Sequence, residues 1–136
     1  MSEIYFLIPG QPKGKARPRV TRNGTYTPKA TREFEALIRS CYAQKCGTFS
    51  FPPGVPLCVT ITALFSIPTS YSKKQREALL SQPHAKKPDA DNIAKAVLDS
   101  LNGHAFHDDG AIARLTVHKI YTDGAPCIGV HITDEL

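Results

Sequence analysis

Apolar positions along the chain fall into short blocks, separated by clusters of Gly, Pro and charge. Ile4 to Ile8 is an apolar run closed by Pro9-Gly10, which predicts a first strand and a turn. Thr27-Pro28 reads as an N-cap followed by Pro at the first helical position. The helix it opens runs to about Lys45 and ends near Gly47, with Phe34, Leu37, Ile38, Cys41 and Tyr42 at helical spacing. Pro52-Pro53-Gly54 then breaks the chain. Leu57 to Ile67 is dense in β-branched and aromatic residues and predicts a buried central strand. Ser72 caps a short helix, KKQREALLS, ahead of Pro83. Two prolines keep 83–90 irregular, so this segment is a loop leading into a helix over 91–102. Asn102-Gly103 stops that helix. Ile112 to Tyr121 and Cys127 to Thr133 alternate apolar and polar, and read as two strands joined at Asp123-Gly124. The pattern predicts an α+β fold: one small domain over 1–136, with a mixed sheet of about four strands packed against two to three helices.

Composition narrows the class. Apolar content of 41% and charged content of 21% are ordinary for a globular chain, and no run approaches a membrane span. MSEIYFLIPG carries an early acid and no basic stretch, unlike a secretory signal. Cys41, Cys46, Cys58 and Cys127 form no C-x-x-C pair and fit no zinc-ribbon spacing. They read as free thiols in a reducing cytoplasm.

Charge changes the picture further. The net charge is +5, but the last 41 residues hold six acids against two bases. Residues 13–32 contain Lys13, Lys15, Arg17, Arg19, Arg22, Lys29 and Arg32 with no acid. Solubility alone would be the bland explanation; a run this one-sided is also a polyanion-binding signal. Residues 10–27 are rich in Gly, Pro and basic residues, and predict a basic arm or loop with a hairpin at Asn23-Gly24. Lys73, Lys74, Arg76, Lys86 and Lys87 extend the basic set.

Against this background the acids are concentrated. Asp89, Asp91, Asp99, Asp108 and Asp109 account for five of the chain's 12 acidic residues. With Asp91 at zero on a helical wheel, Lys95 falls near ~40°, Asp99 near ~80° and Asn102 near ~20°. Ile93, Ala94, Val97, Leu98 and Leu101 form the opposite, apolar arc. Asp89 enters from the loop before the helix. The segment His104-Ala105-Phe106-His107 is long enough to fold back and return Asp108-Asp109. Grouped carboxylates repel unless a cation sits between them, and hard divalent cations prefer such oxygens. Each acid also has a simpler reading: Asp91 as an N-cap, Asp91–Lys95–Asp99 as surface ion pairs, Asp108-Asp109-Gly110 as a turn. His104 and His107 are candidate metal ligands at i,i+3, or merely exposed.

The run Lys87-Pro88-Asp89-Ala90-Asp91-Asn92-Ile93-Ala94-Lys95, then Leu98-Asp99, Leu101-Asn102-Gly103 and Asp108-Asp109, resembles the signature of RusA-type Holliday junction resolvases. These are crossover junction endodeoxyribonucleases, often carried by prophages. PGQPKGKARPRV and TYTPK are similar to phage-type members. The resemblance implies a small homodimer that uses Mg2+, with Mn2+ as a substitute, to nick branched DNA symmetrically in recombination and repair. It makes Asp89 and Asp91 the first two catalytic, metal-holding aspartates and Asp109 the third, with Asp108 beside it. Lys95 matches the essential lysine, and Asp99 a further acidic position. Gly110-Ala111 departs from the polar residue and Gln that many members carry there. Lys13, Lys15, Arg17, Arg19, Arg22, Lys86 and Lys87 are the expected DNA-backbone contacts. The alternatives are a flap or fork nuclease with the same metal site, or a basic nucleic-acid-binding module without hydrolysis.

Overall fold

Strict alternation in one long strand sets the architecture. A computed structural model of the chain describes residues 2–16 and 19–136; Met1, Arg17, Pro18 and the side chain of Arg19 lie outside the described residues. The elements are β1 (Glu3–Pro9), β2 (Arg19–Thr21), β3 (Gly24–Tyr26), α1 (Lys29–Cys46), β4 (Leu57–Ser66), α2 (Lys73–Leu79), α3 (Ala90–Leu101), β5 (Ile112–Thr122) and β6 (Cys127–Thr133), with a 3-10 turn at Asp109–Ala111. Along β4, Leu57, Val59, Ile61, Ala63 and Phe65 are buried while the intervening residues are half-buried. One sheet face therefore carries the core, and α1 and α3 supply its other half with Phe34, Ile38, Tyr42, Ile93, Val97 and Leu101.

The main sheet runs β1-β6-β4-β5, mixed as expected, and β2-β3 form a separate two-stranded sheet. β4 pairs parallel with β5 and antiparallel with β6. The consecutive strands β5 and β6 are thus not neighbours: the turn at Asp123-Gly124 carries the chain across β4. A parallel pair needs a long crossover, and here α2, the 83–90 loop and α3 supply it.

Several boundaries differ from the sequence expectation by one residue or so. Pro28, not Thr27, holds the cap position of α1, without a side-chain cap. The hairpin turns at Arg22-Asn23, and Gly24 opens β3 with φ 115°. Asp89 rather than Asp91 occupies the cap position of α3. Ser72 does cap α2, in a reciprocal capping box with Gln75. The buried arc of α3 is wider than the wheel predicts, taking in Ala96 and Ser100, because α3 packs on α1 as well as on β5.

Where α1 meets α3, the Lys15 ammonium lies 3.2 Å from Glu35 and 3.1 Å from Asp99. Its side chain is only 16% exposed. Burial works against its charge, but the hydrogen bonds to Asp99 and Glu35 outweigh it and raise its pKa. Lys15→Met should leave two carboxylates facing each other and cost about 1–3 kcal/mol. Thermal denaturation reads the loss, and adding Asp99→Asn should recover part of it. A single variant as stable as the parent would show that the pair contributes nothing.

Candidate nuclease site

The acids of the helix stand in two groups. Asp89 caps α3 by position and Asp91 lies in its first turn, where the helix dipole favours negative charge. The Asp89 carboxylate makes no cap hydrogen bond, because Lys87 Nζ holds both its oxygens at 2.8 and 2.9 Å. That contact, with further help from Lys119, keeps the carboxyl below its usual range. The basic arm lies against the same helix turn. The Lys15 backbone N–H donates to the Asn92 carbonyl at 2.9 Å. A Cβ added at Gly14 would stand 2.9 Å from Asn92 Cβ and 3.2 Å from Pro88 Cβ, so only glycine fits without a shift.

The second group sits at the other end of the helix. The Asn102 side-chain oxygen accepts the Asp109 backbone N–H at 2.9 Å, and the Asp108 carboxylate accepts that of Gly110 at 3.0 Å. The helix between Asp91 and Asn102 spans roughly 16 Å along its axis. The return loop makes its contacts at Asn102, where the helix ends. Ala105 and Phe106 are buried, and the Ala105 carbonyl accepts the Phe51 N–H at 2.8 Å. Burying Phe106 fixes the loop at the far end. Among the described residues no three His, Cys, Asp or Glu side chains lie close enough to hold one ion. His104 and His107 are exposed and join no such group. In donor type, the exposed carboxylates of Asp91, Asp108 and Asp109 and the half-exposed Asp89 fit a hard divalent cation.

Lys95 is exposed on the Asp91 edge and makes no ion pair among the described residues. The i,i+4 pairing open to Asp99 is not formed; Asp99 is taken by Lys15. Among the basic residues, Arg22 is exposed in the hairpin turn and Lys86 in the loop, while Lys13 reaches over the Phe34 ring at 5.9 Å. Lys73 and Lys74 are exposed, whereas Arg76 donates to the carbonyls of Ile67 and Pro68. Arg17 and the Arg19 side chain lie outside the described residues.

Sequence reasoning missed three residues. Asn102 read only as a helix stop, yet it anchors Asp109. His84 stacks on Phe65 with centroids 3.7 Å apart and planes 8° from parallel. Lys119 donates from Nζ to the Lys86 carbonyl. A histidine between prolines and a lysine in an alternating strand carry no local signal of these contacts.

A one-domain α+β chain with an acid-bearing helix start, a free lysine one turn on and a basic arm laid against it has the parts of a phosphodiester-cutting enzyme. Residues 9–133 match the family of endodeoxyribonuclease RusA. The chain belongs to that family, whose members are Holliday junction resolvase nucleases, and is an endodeoxyribonuclease. It is also similar to the uncharacterised protein YqaN of Bacillus subtilis strain 168, 30% identical over 130 residues, covering 90% of this chain and 91% of that one. Among the described residues no helix is long and apolar enough to cross a membrane.

The histidine generates a pH prediction. Burial first, then the charges of Lys119 and Lys86, lower the His84 pKa below its ordinary 6.5. Unfolding therefore takes up a proton in the window just below 6.5, so stability falls as pH drops through it. Replacing His84 by Phe should flatten that fall relative to the parent in urea titrations between about pH 7.5 and 5.5. Parallel profiles for the two proteins would contradict it.

Proposed function

We propose that this protein resolves four-way DNA junctions by paired, symmetric nicks, as a Mg2+-dependent homodimer in recombination and repair. The observation that carries the reading is the start of α3: Asp89 and Asp91 at the helix end, Lys95 open to solvent, and the basic arm pinned to the same turn by Asn92. Asp89, Asp91 and Asp109, with Asp108 beside it, are the residues that would hold Mg2+ or Mn2+. What such an ion supplies when bound is activation of a water and neutralisation of phosphate charge.

The chain's own residues do the rest. Lys95 stabilises charge that builds on the phosphate during displacement. Lys86, Lys87, Lys13 and Arg22, with Arg17 and Arg19, bind the phosphate backbone, which positions the junction without reading sequence. Lys15 acts from within, holding the arm to α3. A junction presents two strands related by a twofold axis, and a symmetric dimer matches it. Four free thiols suit a reducing, cytoplasmic site of action.

Asp89→Asn and Asp91→Asn should each abolish cleavage of a synthetic four-way junction while leaving binding intact. Full cleavage by Asp91→Asn in Mg2+ sinks the assignment. A matched linear duplex and a flap, run in parallel, separate junction resolution from a flap nuclease.

Lys95→Ala should slow single-turnover cleavage on the order of 10²-fold, since binding is factored out at saturating enzyme. A rate within a few-fold of the parent would leave Lys95 a surface residue. Arg17→Ala with Arg19→Ala should flatten the log–log salt dependence of binding, by roughly 0.9 for each phosphate no longer neutralised. An unchanged slope would turn the arm away from the DNA.

A further inference from the structure

The loop that carries Asp89 is sewn to the edge strand β5. The Ser81 N–H donates to the Tyr121 carbonyl at 3.1 Å, Tyr121 N–H to Gln82 at 3.0 Å, and His84 N–H to Lys119 at 2.8 Å. The His84 ring lies flat on Phe65. Past His84 these backbone bonds stop. From there to Pro88, the one hydrogen bond from β5 among the described residues is that of Lys119 Nζ to the Lys86 carbonyl. The same ammonium stands 5.8 Å from the Phe65 ring centre, near enough for a cation–π contact beside the carbonyl bond. Lys86 is three residues before Asp89. Within the loop, the Lys86 N–H reaches His84 Nδ1 at 3.4 Å, and the close approach of Gly14 to Pro88 adds a support that comes from the arm and not from the sheet.

We propose that Lys119 is a positioning residue for the nuclease reaction: its bond to the Lys86 carbonyl fixes the last stretch of the loop, and with it the placement of Asp89. This rests on the nuclease reading above. Its ammonium is already bonded to the chain's own backbone, in an exposed contact, so it acts on the loop and not on the DNA. Small misplacements of a reacting constellation are costly, and a loop site needs such support more than a helix site does.

The test compares the parent with Lys119→Met, which keeps the stem and removes the donor, and Lys119→Arg, which keeps a donor. Single-turnover cleavage of a four-way junction by Lys119→Met should fall roughly tenfold or more. Metal-free affinity for that junction should stay within about twofold of the parent, because the basic surface is intact. In the metal-free protein, amides of residues 85–91 should exchange several-fold faster, with β4 and β6 unchanged. Lys119→Arg should recover most of both. Should Lys119→Met fail to fold, as judged by circular dichroism, Lys119→Leu, which also lacks a donor, carries the same comparison.

Unchanged exchange at 85–91 overturns the proposal, and so does a full cleavage rate. Weakened binding with a flatter salt slope also overturns it, since Lys119 would then touch phosphate. If the parent itself leaves the junction uncut, the nuclease reading fails, and the exchange data alone decide whether Lys119 holds the loop.

Discussion

One ammonium group, that of Lys15, stands between Glu35 on α1 and Asp99 on α3. Two helices laid on the same sheet face meet there, and α3 buries the small residues Ala96 and Ser100 along with its larger apolar ones. Small residues let the helices approach, but the approach also brings two carboxylates together at their edge. A cation from a third segment removes the conflict. The backbone of that same residue donates to Asn92, so arm, α1 and the acidic turn are fixed by one side chain and its own peptide group. The place of the helix, and of the acids it carries, follows from that.

The chemistry is concentrated in the crossover between the parallel strands β4 and β5. A parallel pair obliges the chain to travel the length of the sheet outside it, and this stretch is free to hold polar residues that no strand could bury. Here it holds a proline loop stitched to the strand it is about to become. It then holds a helix whose buried side faces both the sheet and α1. The far end of that helix is anchored by Phe106, a core residue placed just before the second acidic turn. Core packing thus decides which end each carboxylate occupies.

Much of this was legible in the chain. The long apolar run at Leu57, the Ser72 cap and the Asn102-Gly103 stop are local signals, and each element formed within two residues of its reading. The RusA signature pointed to the family that residues 9–133 match. What did not follow from the sequence was non-local. Alternation in Ile112–Tyr121 and Cys127–Thr133 marks two strands but does not say that β4 lies between them. Loop length left the course of the Asp108-Asp109 turn open; the Asn102 side chain, at the C-terminal end of α3, holds the Asp109 N–H. Spacing put Asp99 within reach of Lys95, while Lys15, from far earlier in the chain, took it. Tertiary partners compete with local ones and win where they remove a buried charge from isolation.

Helix α2 stands apart from these constraints. It has no buried residue, and it is held by its capping box and by Arg76 reaching the carbonyls of Ile67 and Pro68. It contributes no side chain to the core, so its packing does not depend on the sheet's buried face. The stretch between β4 and the proline loop is therefore where this architecture has latitude. A fluorophore or an affinity tag placed on α2 itself would displace no buried side chain.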